Sequence, residues 1–174
     1  MTAVRNRLRL AVRYLSIAAG LAMLFVLLDF AIDIRPPAIQ ESYRLQVGEL
    51  AADEARILRR DNLAILVIRR SADTIERLSR PQPGLQDPSS RRSSQPGYAT
   101  NSLRSAVPEY FVGYAIGTDF GCALEILADR VREICGDASY DFAGRALAGA
   151  REFKNLPVPD YNFSDNYRYL TVRP

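Results

Sequence analysis

The 174-residue chain is 25 % charged and 48 % hydrophobic, the balance of a folded protein with room for one ordinary domain and an appendage. Its formal charge of +3 is small and concentrated in the N-terminal segment and the Arg80 to Arg104 region, which excludes a nucleic-acid footprint. The absence of histidine removes the commonest general base and metal ligand at neutral pH, and with it most hydrolytic, zinc and non-haem iron chemistry.

Residues 1–13 read as a basic tail, with Arg5, Arg7, Arg9 and Arg13 and no acidic partner. From Tyr14 to Ile32 the chain is apolar apart from Asp29, and as a helix it spans about 28 Å, enough for one membrane crossing. Arginines on the N-terminal side predict that end in the cytoplasm, with the remainder on the periplasmic or intermembrane-space side of an inner membrane. No small-x-small cleavage site follows Leu28, so the segment is expected to stay as a single-pass anchor rather than leave as a signal peptide. Asp29 is expected near the outer interface, where its carboxylate reaches water. Asp33-Ile34-Arg35-Pro36-Pro37 ends the helix, because proline lacks the amide donor and restricts its predecessor; residues 33–42 follow as a tether.

The head, residues 43–174, reads as mainly β. Tyr43, Leu45 and Val47 alternate with polar residues as a half-buried strand does. Leu63-Ala64-Ile65-Leu66-Val67-Ile68 is a short, branched, continuous apolar run and predicts a fully buried strand. Ala72 to Leu78 predicts a short helix capped by Ser71. Residues 80–105 turn to Pro, Ser, Gln, Arg and Gly and predict a long solvated loop. Tyr110 to Ile116 is aromatic and branched, hence strand. Tyr140 to Arg145 reads as a turn, Leu156 to Phe163 as edge-like extended chain, and Arg168 to Val172 as a last alternating strand.

Two short loops hold the only cysteines: Gly117-Thr118-Asp119-Phe120-Gly121-Cys122 and Glu133-Ile134-Cys135-Gly136-Asp137-Ala138-Ser139-Tyr140. Around them lie Leu85-Gln86-Asp87-Pro88, Pro108-Glu109-Tyr110-Phe111-Val112, Tyr140-Asp141-Phe142-Ala143-Gly144-Arg145 and Asn155-Leu156-Pro157-Val158-Pro159. In this order the segments resemble the Rieske iron–sulfur subunit of ubiquinol-cytochrome c reductase. That family reads Leu-Arg-Asp-Pro, Pro-Glu-Trp-Leu-Val, Tyr-Asp-x-x-Gly-Arg and Asn-Leu-x-Val-Pro at the same places. The resemblance implies a Rieske-like antiparallel β-sandwich head with a small cluster-binding-type subdomain, here residues 108–159.

The family's cluster loops read Cys-Thr-His-Leu-Gly-Cys and Cys-Pro-Cys-His-Gly-Ser. Its first cysteine and its histidine in each loop bind iron, and the remaining cysteines form a disulfide. Placed residue by residue, the ligand positions here are Gly117, Asp119, Glu133 and Gly136, while Cys122 and Cys135 keep the disulfide positions. A [2Fe–2S] centre of this type needs two thiolates and two imidazoles, and the imidazoles raise its potential. Glycine offers no ligand atom, and the carboxylates of Asp119 and Glu133 are hard donors. No cofactor is therefore expected.

Cys122 and Cys135 are expected as a disulfide on the oxidising side of the membrane. A mononuclear metal on Cys122, Cys135, Asp119 and Glu133 is the alternative, and it requires reduced thiols. The family's Gly-Pro-x-Pro loop is here Gly149-Ala150-Arg151-Glu152-Phe153, so Asp119, Phe120 and Arg151 are expected at a partner-facing tip. The resulting expectation is a membrane-anchored, cluster-free accessory or structural subunit of a respiratory complex, not an enzyme by itself. Its implied partners are the membrane and subunits such as cytochrome b and cytochrome c1 or a terminal oxidase. The alternatives are an electron-transferring reductase subunit with an unconventional metal centre, or a free membrane-tethered assembly factor.

Overall fold

The computed structural model describes residues 2–31, 42–164 and 166–173. Its chain divides into two units, 1–39 and 40–174. In the first, helix α1 runs Thr2–Ala31, and its Val4–Asp29 portion is long and apolar enough to cross a membrane. The helix thus takes in the basic segment expected as a separate tail. No proline or glycine interrupts residues 2–13, and Arg, Leu and Ala are strong helix formers, so nothing there stops it. Of the expected tether, residues 33–41 lie outside the described residues.

The head is built from short antiparallel strands. Strand β1 (Tyr43–Gln46) is followed by β2 (Ala55–Arg60) and β3 (Leu63–Arg69), helix α2 (Ala72–Ser79), then β4 (Tyr110–Tyr114). Next come β5 (Leu124–Ile126), β6 (Val131–Glu133), β7 (Ser139–Tyr140), β8 (Asp160–Ser164) and β9 (Tyr169–Arg173). They form three three-stranded sheets in the orders β2-β3-β4, β1-β9-β8 and β5-β6-β7. The continuous apolar run became the middle strand β3, buried from Ile65 through Ile68. Strand β2, whose Ala-Arg-Ile-Leu-Arg-Arg lacks a clean alternation, was not anticipated; it pairs with β3 from Ala55–Ile68 to Arg60–Leu63. Ser71 caps α2, accepting the Thr74 amide.

Side chains from all three sheets, among them Leu45, Val67, Val112, Val131 and Leu170, share one apolar core with Leu156. Aromatic rings join the first two sheets: Tyr110 on β4 packs on Phe163 of β8 at 5.0 Å between centroids, and Phe163 meets Tyr161 edge-on at 5.6 Å.

Residues 80–105 differ most from expectation. They are irregular apart from one 3-10 turn at Gly97–Ala99, yet Asp87, Ser90, Ala99, Leu103, Arg104 and Ser105 are buried. Polar side chains supply what apolar ones do not. Asp87 accepts the amides of Arg91 and Arg92, and Asn155 donates to the Asp87 carbonyl while accepting the Ala146 amide. Arg104 is fully buried and donates to the carbonyls of Gly144 and Leu156 at 2.9 and 2.7 Å and to Gln95 Oε1. Arg70, just beyond β3, donates to the Leu103 carbonyl, Ser105 Oγ and the Tyr110 carbonyl. Burial pushes both guanidinium pKa values down to about 10, which leaves them charged at neutral pH.

Replacing Arg104 with methionine keeps much of the volume but abandons several buried carbonyls. It should destabilise the head by about 3–5 kcal/mol, measured by urea unfolding of the detergent-solubilised protein.

Candidate functional site: the cysteine-tied tip

The first loop leaves β4 and returns through the Ile116–Ala123 bridge, closed at its neck by the Gly117 amide on the Cys122 carbonyl at 2.8 Å. Gly121 makes the return with φ +75°, in the left-handed region where glycine is unstrained. The hairpin β6–β7 presents the second loop, closed by the Glu133 amide on the Ala138 carbonyl at 2.9 Å. The Ile134 amide donates to the Ala123 carbonyl and draws the loops together. Cys122 and Cys135 are joined by a disulfide across them, with their Cα atoms 6.1 Å apart.

Behind the loops, Tyr140 is fully buried and its hydroxyl accepts the Thr118 amide at 2.7 Å, while Thr118 Oγ1 donates to the Lys154 carbonyl. The Asp141 to Arg145 segment is a turn in which Asp141 accepts the Ala143 and Arg145 amides and pairs with the Arg145 guanidinium at 2.8 Å. Gly144, at φ +66°, packs so closely on Phe111 that a Cβ there would lie 2.3 Å from the ring. The segments that carried the resemblance are therefore the joints of the scaffold.

The two acidic residues at the tip do different things. Glu133 is 1 % exposed, and its carboxylate accepts the amides of Asp119, Phe120 and Cys122 at 2.9, 2.9 and 2.8 Å. Burial acts to raise its pKa, but the converging amides of Cys122, Asp119, Phe120 and Gly121 together hold it below the ordinary glutamate value. Asp119 has a side chain 6 % exposed; it pairs with Arg151 at 2.7 Å and accepts the Asp137 amide.

The glycines face these acids. A Cβ on Gly117 would lie 2.0 Å from Glu133 Oε2, and one on Gly136 would lie 2.5 Å from Asp119 Oδ2. The four positions Gly117, Asp119, Glu133 and Gly136 thus form two small–acidic pairs across the loops, each acid filling the space its glycine leaves.

At the surface, Phe120 is 62 % exposed, with the Arg151 guanidinium 5.0 Å from its ring centroid. Phe120 and Arg151 do face outward; Asp119 does not, because the Arg151 ion pair covers it. Sequence reasoning saw Glu133 only at a metal-ligand position, lost or alternative, and missed Thr118 and Tyr140 as the loop's support. The available signal was an acid in Val131-Arg132-Glu133-Ile134 at an inward-facing strand position.

A two-iron cluster of the family's kind does not fit these residues: the donor set lacks thiolate and imidazole at the ligand positions, and Glu133 and Asp119 fill the space between the loops. Ligand atoms of Cys122, Glu133 and Cys135 lie within 4.8 Å of one another, but the two sulfurs are bonded to each other.

No family model matches the chain. Over 115 residues it is 32 % identical to the ubiquinol-cytochrome c reductase iron-sulfur subunit of Allochromatium vinosum, covering 61 % of this chain and 54 % of that protein. Over that stretch the chain is similar to an iron-sulfur subunit of ubiquinol-cytochrome c reductase. It spans about half the length of this curated relative. A chain from a solved structure titled "Hyperthermophilic respiratory Complex III" is similar with a TM-score of 0.47 and 15 % identity, over 92 % of this chain and 97 % of that one.

Three outcomes follow for the tip. Reducing the disulfide should cost roughly 3 kcal/mol of head stability by the loop-closure relation, read from unfolding with and without reductant. Gly117→Ala should expel the Glu133 carboxylate and cost roughly 2–4 kcal/mol, and Glu133→Ala should cost less in that background than alone. Because the folded pKa of Glu133 is depressed, its contribution is complete above the ordinary glutamate pKa of about 4.5. It should be lost as the pH falls through the lower folded value, which loop-specific amide exchange at stepped pH will show.

Proposed function

We propose that this chain is a membrane-anchored, cluster-free Rieske-like subunit that serves a respiratory complex, ubiquinol-cytochrome c reductase or an assembly containing it, as an accessory or structural component. The observation that carries this reading is the reciprocity of the two pairs, Gly117 with Glu133 and Asp119 with Gly136. Random loss of ligands leaves gaps or clashes; here each substitution on one loop is accommodated by the residue facing it on the other. The scaffold joints at Asp87–Asn155, Asp141–Arg145 and Thr118–Tyr140 remain whole beside them. A tip kept in shape without redox ligands suits docking better than electron transfer.

The likeness to an iron-sulfur subunit of ubiquinol-cytochrome c reductase supports a partner of that class, such as cytochrome b, cytochrome c1 or an associated terminal oxidase. The apolar helix Val4–Asp29 supports anchoring, and the arginines at its N-terminal end support a cytoplasmic N-terminus with the head across the membrane. Exposed Phe120 with Arg151 is the part of the tip best suited to contact a partner.

Purification of the full chain from anaerobically grown cells should give protein without stoichiometric iron and without the electron-spin signal of a reduced two-iron cluster; finding both would overturn the cluster-free reading. Capture in mild detergent should bring respiratory subunits with it, and recovery without any of them would overturn the accessory role. Head cysteines accessible to impermeant reagents only from the cytoplasm, after reduction, would reverse the orientation.

A further inference from the structure

The carboxylate of Glu133 is held by the polypeptide in a way that resembles a bound ligand more than a surface acid. Three backbone amides from successive parts of one loop, those of Asp119, Phe120 and Cys122, converge on its two oxygens within 2.9 Å. The group is 1 % exposed, and among the described residues the N–H donors to its oxygens are these backbone amides rather than a cationic side chain. At the rim of the tip, Arg151 pairs with Asp119 at 2.7 Å and approaches Asp137 at 3.5 Å. A concave array of amides is an anion site whatever supplies the anion. The opposite wall is Gly117, which leaves room for the Glu133 carboxyl group and no more.

We propose that the first loop is a carboxylate-binding site occupied by the chain's own Glu133, an internal ligand that gives the tip its shape in place of a bound group. The proposal rests on the cluster-free reading and deepens it. Without an anion, the three converging amides would lose their shared acceptor, and the loop would open to hydrate them. With Glu133 in place they are satisfied as soon as the head folds, and the disulfide at 122–135 holds donor loop and acceptor loop together. The site is therefore specific for a small carboxylate: Glu133→Ala should convert it into a receptor for acetate or formate.

The test uses the full chain in detergent micelles and follows amide exchange residue by residue. In Glu133→Ala, exchange at Asp119, Phe120 and Cys122 should rise roughly ten- to a hundredfold while the amides of β3 keep their protection. Sodium acetate or formate should restore the slow exchange, sodium chloride at equal ionic strength should not, and wild type should respond to neither. Glu133→Gln, which keeps the shape but turns a donor toward one amide, should show a smaller rise confined to the same loop. Chloride restoring protection as well as acetate would overturn carboxylate specificity. If Glu133→Ala unfolds the head, Glu133→Gln decides: faster exchange confined to the loop supports the internal ligand, and unchanged exchange overturns it. Stoichiometric iron in the wild-type protein would instead remove the cluster-free reading, a result distinct from unchanged exchange in an iron-free chain.

Discussion

Two buried guanidinium groups, those of Arg104 and Arg70, stand where a domain of this size ordinarily places aliphatic side chains, and the irregular half of the head is arranged around them. Arg104 gathers Gln95, Gly144 and Leu156 from segments far apart in sequence; Arg70 ties the end of β3 to Leu103, Ser105 and Tyr110. A buried cation is costly unless its donors are satisfied, and that cost makes the arrangement selective: few chain paths place enough carbonyls around each group. The loop through residues 80–105 is thereby fixed without a strand or an apolar stripe of its own. Through Gly144 and Leu156 the same hydrogen bonds hold the segments that flank the cysteine loops.

The tip follows the same logic with the opposite sign of charge. Glu133 is an anion surrounded by amide donors, and Asp119 an anion covered by Arg151. Each acid is matched to a glycine on the other loop, so the loops close on one another's side chains. The disulfide and the Tyr140–Thr118 contact then bear on a tip whose interior is already filled. What this set of interactions preserves is the shape of the tip. The exposed Phe120 and Arg151 sit on a support made rigid by buried polar contacts beneath them.

Much of the fold was legible because it rests on local pattern. The buried run Leu63 to Ile68, the alternating strands at both ends of the head and the Ser71-capped helix each carry their own signal of period, length or cap. The cysteine loops were equally plain, as was the lack of thiolate or imidazole at the positions the resemblance to the Rieske family marks as ligands, since ligand chemistry depends on residue type. Strand β2 was not legible, because its arginine-rich pattern becomes a strand only by pairing with β3. Nor was the order of residues 80–105, where composition predicted solvation and buried polar bonds decided otherwise.

By itself the sequence determined the apolar N-terminal helix, the mainly β head, the pairing candidates Cys122 and Cys135, and the lack of any thiolate or imidazole at Gly117, Asp119, Glu133 and Gly136. These are properties of residue type and short-range spacing. Only the tertiary structure decided that Glu133 turns inward to the loop amides, that Asp119 is covered by Arg151, and that each acid faces a glycine. The physical reason is that a carboxylate's role depends on which donors reach it. Those donors come from another loop, 11 to 14 residues away along the chain, brought into place by long-range strand pairing and the disulfide.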